Sequence, residues 1–174
     1  MITIRRANIE DTEQISCLGR KTFDEAYGEF FNNKTNLMTY LDSAFSINKI
    51  KNSLSKSENK YWVVADEKSY DLIGYAKLKI DSSSEFIEDQ NVCKLQRIYL
   101  SQGYEARGIG SQLHERILKS VIESGYNYIW LSNLKMKKQA VSFYKKKGYD
   151  VAGEHNFSIG DETFEFWAMK KRLF

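Results

Sequence analysis

The sequence predicts a single α/β domain, and three observations carry that expectation. A β-like run, Leu95-Gln96-Arg97-Ile98-Tyr99-Leu100, leads through the short glycine loop Glu105-Ala106-Arg107-Gly108-Ile109-Gly110 into an amphipathic helix. Further on, a second strand-like run, Tyr128-Ile129-Trp130-Leu131, leads into a short helix closed by Gly148. Strands alternating with helices in this way pack as a sheet covered by helices. Third, 174 residues, 42% hydrophobic and 28% charged, suffice for one domain with a sizeable core. No repeat, linker or low-complexity tract divides the chain, so residues 1–174 are read as one unit.

Taken in order, Ile2 to Arg6 reads as a first strand. Asp11 is expected to cap a helix running to about Ala26, with Gln14 placed for a capping box and Ile15, Leu18 and Phe23 turned to the core. A second helical region is expected from Thr35 through Ser55, interrupted near Ala44-Phe45-Ser46. Strands follow at Tyr61–Ala65, Leu72–Ile80 and Cys93–Leu100. Beyond the loop, Ile109, Leu113, Ile117, Leu118, Val121 and Ile122 recur at helical spacing. His114, beside that stripe, is expected at the surface. In the short helix after Lys137, Ala140, Val141 and Tyr144 share a side, and Lys145-Lys146-Lys147 complement the dipole at its end. Strands near Tyr149–Phe157 and Phe164–Met169 close the chain.

The glycine loop has a physical reading. The first amides of a helix lack partners inside it, and the helix dipole adds partial positive charge there, so a helix start after a glycine turn suits an anion. Two familiar phosphate motifs are excluded. Gly110 is followed by Ser111 and Gln112 rather than Lys-Ser/Thr, and a dinucleotide fingerprint would need three glycines early in the chain. On the loop alone, an ordinary tight strand-to-helix turn explains the glycines equally well.

Composition removes several function classes. A net charge of +3 with no arginine cluster argues against nucleic acid as partner. No apolar run approaches a membrane span, and the first residues read as a strand rather than a signal peptide. Cys17 and Cys93 form neither a disulfide scaffold nor a metal site, and they fit a reducing cytoplasm.

The combination Ala140-x-x-Phe143-Tyr144-x-x-x-Gly148-Tyr149 downstream of the glycine loop resembles the GCN5-related N-acetyltransferases (GNAT) over nearly the whole chain. Within that superfamily the chain is most similar to PaiA-type spermidine/spermine N-acetyltransferases. That closer likeness rests on Tyr40–Phe45, Arg97–Leu100, Ile129–Leu131, Ala140–Gly148, Gly153–Phe157 and Gly160-Asp161-Glu162. The resemblance implies a mixed central sheet of about seven strands, splayed between the fourth and fifth, with acetyl-CoA as cosubstrate and no metal. It implies that Ile98, Tyr99 and Leu100 hold the pantetheine arm, that Glu105, Ala106, Arg107, Gly108, Ile109, Gly110 and Ser111 take the pyrophosphate, and that Lys137 stands near the cofactor. Tyr144 is then the acid that protonates the departing thiolate. By analogy with relatives, a homodimer is expected.

This sequence departs from the family pattern at three positions. Gln96 stands where many relatives place a glutamate on the fourth strand, and glutamine cannot act as a base. A water chain, His155, Asp81 or Glu29 remain as alternatives. Glu105 replaces the usual Gln or Arg and is expected to point away from a pyrophosphate. Lys137 replaces an asparagine. Carboxylates at Asp24, Glu25, Glu29 and from Asp81 to Asp89 suit a polyamine acceptor, although charge alone describes a solvated surface equally well. Other acceptors (a protein N-terminus, a lysine or an aminoglycoside) and a non-catalytic acyl-CoA sensor stay open.

Overall fold

The first α-helix begins after Asp11, as expected, but the side-chain cap is supplied by Asn8 to a 3-10 turn that precedes it. In the computed structural model, which describes residues 1–174, β1 (Ile2–Arg6) is followed by a 3-10 turn at Ile9–Asp11 and then α1 (Thr12–Tyr27). The Asn8 side chain accepts from the Glu10 amide at 2.9 Å, and Asp11 reaches back to the Asn8 amide at 2.8 Å. Asn8-Ile9-Glu10-Asp11 is thus a capping box placed one turn earlier than expected. Asp11 makes no cap bond to α1 and pairs with Arg5 at 2.7 Å instead. Gln14 is also reassigned, because its side-chain carbonyl accepts from the Leu72 amide at 3.1 Å and ties α1 to the sheet.

The expected interruption of the next helical region is present. α2 (Lys34–Ala44) stops at Phe45, which is buried, and Ser46 caps α3 (Ile47–Ser55) by accepting from the Lys49 amide at 3.1 Å. The remaining elements are β2 (Asn59–Asp66), β3 (Leu72–Lys79), β4 (Val92–Leu100), α4 (Ile109–Glu123), β5 (Tyr128–Leu134), α5 (Lys138–Lys146), β6 (Asp150–Ile159) and β7 (Glu162–Arg172). The seven strands form one mixed sheet in the order β1-β2-β3-β4-β5-β7-β6. Only β4 and β5 run parallel. No helix is long and apolar enough to cross a membrane.

That parallel pair is where the sheet opens. Val92, Cys93 and Lys94 pair with Tyr128, Ile129 and Trp130, and pairing then ceases although both strands continue. The cause lies on the other edge of β4. Lys77 faces Arg97 while Leu78 faces Leu95, so Gln96 has no partner and forms a bulge. A bulge bends its strand and increases its twist, here turning β4 away from β5. The Ser101 amide bonds to the Ile73 carbonyl at 2.8 Å. By the alternation of a strand, Tyr99 shares that direction, and the amides of Ile98 and Leu100 face the open side.

One core lies beneath α4 and α5, with Leu113, Ile117, Ile129 and Met169 fully buried. The other lies beneath α1, α2 and α3, centred on Ile15, Phe45, Val63 and Tyr75. His114 is fully buried, contrary to the surface position expected. Its Nε2 lies 2.9 Å from the Tyr149 hydroxyl, and the rings of Phe143 and Tyr144 close around it. α4 is covered by α5 and the chain entering β6, so its buried face is wider than the aliphatic stripe. Ile122, on the expected stripe, is exposed at the far end.

Candidate active site

The loop after β4 is coiled by left-handed residues. Gly103, Ala106 and Gly108 have φ of 92°, 58° and 76°. Gly108 occupies the N-cap position of α4 in the left-handed region, where glycine avoids a steric cost that other residues incur. No side chain caps α4, and its first backward bond runs from the Gln112 amide to the Gly108 carbonyl at 3.0 Å. The amides of Ile109, Gly110 and Ser111 therefore have no helical partner and are free for an anion. The Glu105 carboxylate folds back to accept from the Gly103 amide at 2.6 Å. Arg107, exposed, lies 5.2 Å over the Tyr104 ring and is the loop's own cation.

From this loop a groove runs into the split between β4 and β5. Ile98, Tyr99, Leu100, Gly110, Lys137, Ala140, Phe143 and Tyr144 line it, and so do Glu25 and Glu105, the latter contrary to the outward position expected of it. A Cβ at Gly110 would meet only Leu100, at 3.7 Å, so the space beside it belongs to the groove. The unpaired edge of β4, the free amides of α4 and a glycine wall fit a pantetheine arm ending in a pyrophosphate. Lys137 sits at the start of α5 and spans the groove, donating to the Ala26 carbonyl at 3.0 Å. Burial lowers its ammonium pKa, an effect opposed by nearby Glu29.

Tyr144 is buried, and burial with neighbouring Tyr99 raises its phenol pKa above the ordinary value. It lines both the groove and the deeper split where Gln96, Arg97, Tyr99, Ser132 and Asn133 meet. The phenol therefore stays protonated throughout the neutral range.

Beyond the split, a hollow opens between α1, α2 and the end of the β6–β7 hairpin. Its walls are rich in aromatic rings, with Phe23, Tyr27, Tyr40, Tyr99, Phe157 and Phe166 among them. It shares Tyr27, Gln96, Arg97, Tyr99 and Ser132 with the split, which in turn shares Ile98, Tyr99, Lys137, Ala140 and Tyr144 with the groove, so the three adjoin in series. His155 stands in its wall, stacked on Phe166 at 5.5 Å, with Nε2 2.8 Å from the Ser132 hydroxyl.

Of the residues expected to meet an acceptor, the fold brings only His155 into this hollow. Asp81 lies at the opposite end of β4, where its carboxylate accepts from the Tyr126 hydroxyl at 2.9 Å; burial and that carboxylate push the phenol up to about 12. Glu29 is exposed on the turn Gly28–Phe30 and lines neither groove nor hollow. Sequence reading missed Arg97, Ser132 and Tyr27 as site residues. Ser132 follows directly on the strand-like run 128–131, where extending the alternation by one step would have found it. Tyr27 carried no such signal, because nothing local shows that the end of α1 faces β4.

Comparison with known proteins agrees with this geometry. Over 99% of its length the chain is 24% identical to an uncharacterized N-acetyltransferase encoded in the pepI 3' region of Lactobacillus delbrueckii subsp. lactis, covering 98% of that protein. It superposes on the PaiA N-acetyltransferase of Thermoplasma acidophilum, crystallised with coenzyme A, with a TM-score of 0.79 at 23% identity and 99% of both chains covered. For the ribosomal-protein-S18-alanine N-acetyltransferase of Escherichia coli the TM-score is 0.72 at 14% identity, over 99% of this chain and 94% of that one. The model of the acetyltransferase (GNAT) family matches residues 21–149, the span that holds the split, the glycine loop and Tyr144, and the chain belongs to that family of acetyl-CoA-dependent N-acetyltransferases.

Proposed function

We propose that the protein acetylates a primary amine held in the aromatic hollow, with Tyr144 as proton donor and His155 as proton acceptor. The observation that carries this reading is that the groove, the split beside Tyr144 and the hollow that contains His155 adjoin in series through shared walls. Acetyl-CoA supplies the acetyl thioester. The amides of Ile109, Gly110 and Ser111, with Arg107, hold its pyrophosphate, and the free edge of β4 at Ile98 and Leu100 holds the pantetheine arm.

The residues then divide the proton work. An amine is protonated near neutral pH and must lose a proton before it attacks. Gln96 cannot take it, whereas the His155 ring, oriented by Ser132 and Phe166, can. Tyr144 Oη keeps its proton until a thiolate leaves. In bulk water a phenol near pKa ~10 is a weak donor to a thiolate near ~8.5, but a desolvated site raises both and penalises the free thiolate.

The likeness to PaiA-type enzymes supports a polyamine such as spermidine or spermine as acceptor. The carboxylates offered for that role, Asp24, Glu25, Glu29 and those from Asp81 to Asp89, do not line the hollow, so the polyamine reading keeps only the family likeness. The test is acetyl-CoA-dependent thiol release against a panel of amines. Tyr144→Phe is expected to lower kcat by about 10²–10⁴-fold with little change in acetyl-CoA affinity. A kcat equal to wild type would remove Tyr144 as the acid.

A further inference from the structure

Arg97 is a cation without a counter-ion in the wall shared by the hollow and the split. Its guanidinium lies 4.5 Å over the Phe45 ring and donates once, to the Tyr40 hydroxyl at 3.2 Å. None of the molecule's ion pairs includes it. Four further donors of the planar fork remain for other partners. Directly across the β3–β4 ladder stands Lys77, also without a carboxylate partner, its ammonium brought down to about 8 by burial and by Arg97. Lys94, over the Trp130 ring at 4.3 Å, adds another positive charge to the lining. No aspartate or glutamate lines the hollow at all.

Partly buried cations that repel one another, with no anion among their neighbours, leave a positive potential that a bound anion relieves. A guanidinium fork matches a carboxylate in shape and can engage it with two parallel bonds. The same potential opposes a polycation. We propose that the acceptor is an amine that also bears a carboxylate, with the carboxylate on Arg97 and an apolar or aromatic body on Phe23, Tyr27, Phe157 and Phe166. This inference rests on the hollow being the acceptor site. Arg97 is then a specificity residue, and Ser132 with His155 remains the place where the amine is deprotonated.

Matched acceptors that differ only in the carboxylate provide the test: phenylalanine against phenethylamine, and leucine against isoamylamine, with spermidine alongside. The carboxylate-bearing member of each pair is expected to show kcat/KM roughly 10–100-fold higher, the range of one charged hydrogen-bond pair. Arg97→Gln should bring each pair near parity, and Arg97→Lys, which keeps the charge but loses the fork, should fall between. Equal or better turnover of the plain amines or of spermidine, or a preference that survives Arg97→Gln, would overturn the assignment. Binding of 3-phenylpropionate, followed by tryptophan fluorescence, reads the anion site without turnover and should weaken about tenfold or more in Arg97→Gln. Absence of binding to the wild type, or equal binding to both, also overturns it. If this ligand binds as expected but no amine releases thiol, the acetyl-transfer reading fails while the anion site stands. If plain amines are acetylated as readily as the acids, the transfer reading stands and the carboxylate inference fails.

Discussion

His155 and Asp81 show how differently two polar residues of one expected set end up. His155 sits on β6 with its ring between Phe166 and Ser132, facing the aromatic hollow. His155→Gln keeps a polar side chain of similar reach but cannot take a proton at neutral pH. It should lower kcat and abolish the limb of the pH–rate profile that reports the base. An unchanged profile would return the base to a water chain. Asp81 accepts from Tyr126 at the closed end of the parallel pair. Asp81→Asn is therefore expected to leave kcat/KM for every acceptor within about twofold, since it lies outside the chemistry. A large selective loss with polyamines would restore it as an acceptor residue.

Among the elements, the β4–loop–α4 unit does most to prepare the site. The Gln96 bulge opens the sheet, and Gly108 turns the chain into α4 with its first amides free. At φ of 76°, a β-branched residue at Gly108 is strained, whereas at Gly110 ordinary space exists but belongs to the groove. Gly108→Val should weaken acetyl-CoA binding by about tenfold or more and lower stability by about 1–2 kcal/mol. Gly110→Val should weaken binding comparably with little loss of stability. Calorimetric titration and thermal melts separate the two effects, and unaltered acetyl-CoA affinity in both variants would refute the cradle. The glycines and the apolar spacing of α4 were legible in the chain. The bulge was not, because it depends on which residue of β3 faces which residue of β4.

For the whole molecule, the buried imidazole of His114 links stability to pH. Burial, with Lys147 and Lys171 nearby, lowers its pKa from 6.5 to about 4. Between those values the unfolded chain binds a proton that the folded chain refuses, so stability rises with pH across the window and falls as acid is added. The loss saturates near pH 4 at about 3 kcal/mol. Urea melts of wild type and His114→Gln between pH 7 and 4 should show the steeper decline in the wild type, and parallel declines would assign the acid sensitivity elsewhere. Seven strands, the break before Ser46, the glycine loop and the motif ending at Gly148 were all determined by local pattern in the sequence, since spacing, caps and turn residues act within a few positions of themselves. The capping box one turn early, the burial of His114, the bulge at Gln96 and the positive lining around Arg97 were decided only by tertiary structure. Each depends on groups distant in sequence or on a choice between competing local partners, and burial, pairing register and uncompensated charge are properties of neighbours that only the assembled sheet and helices supply.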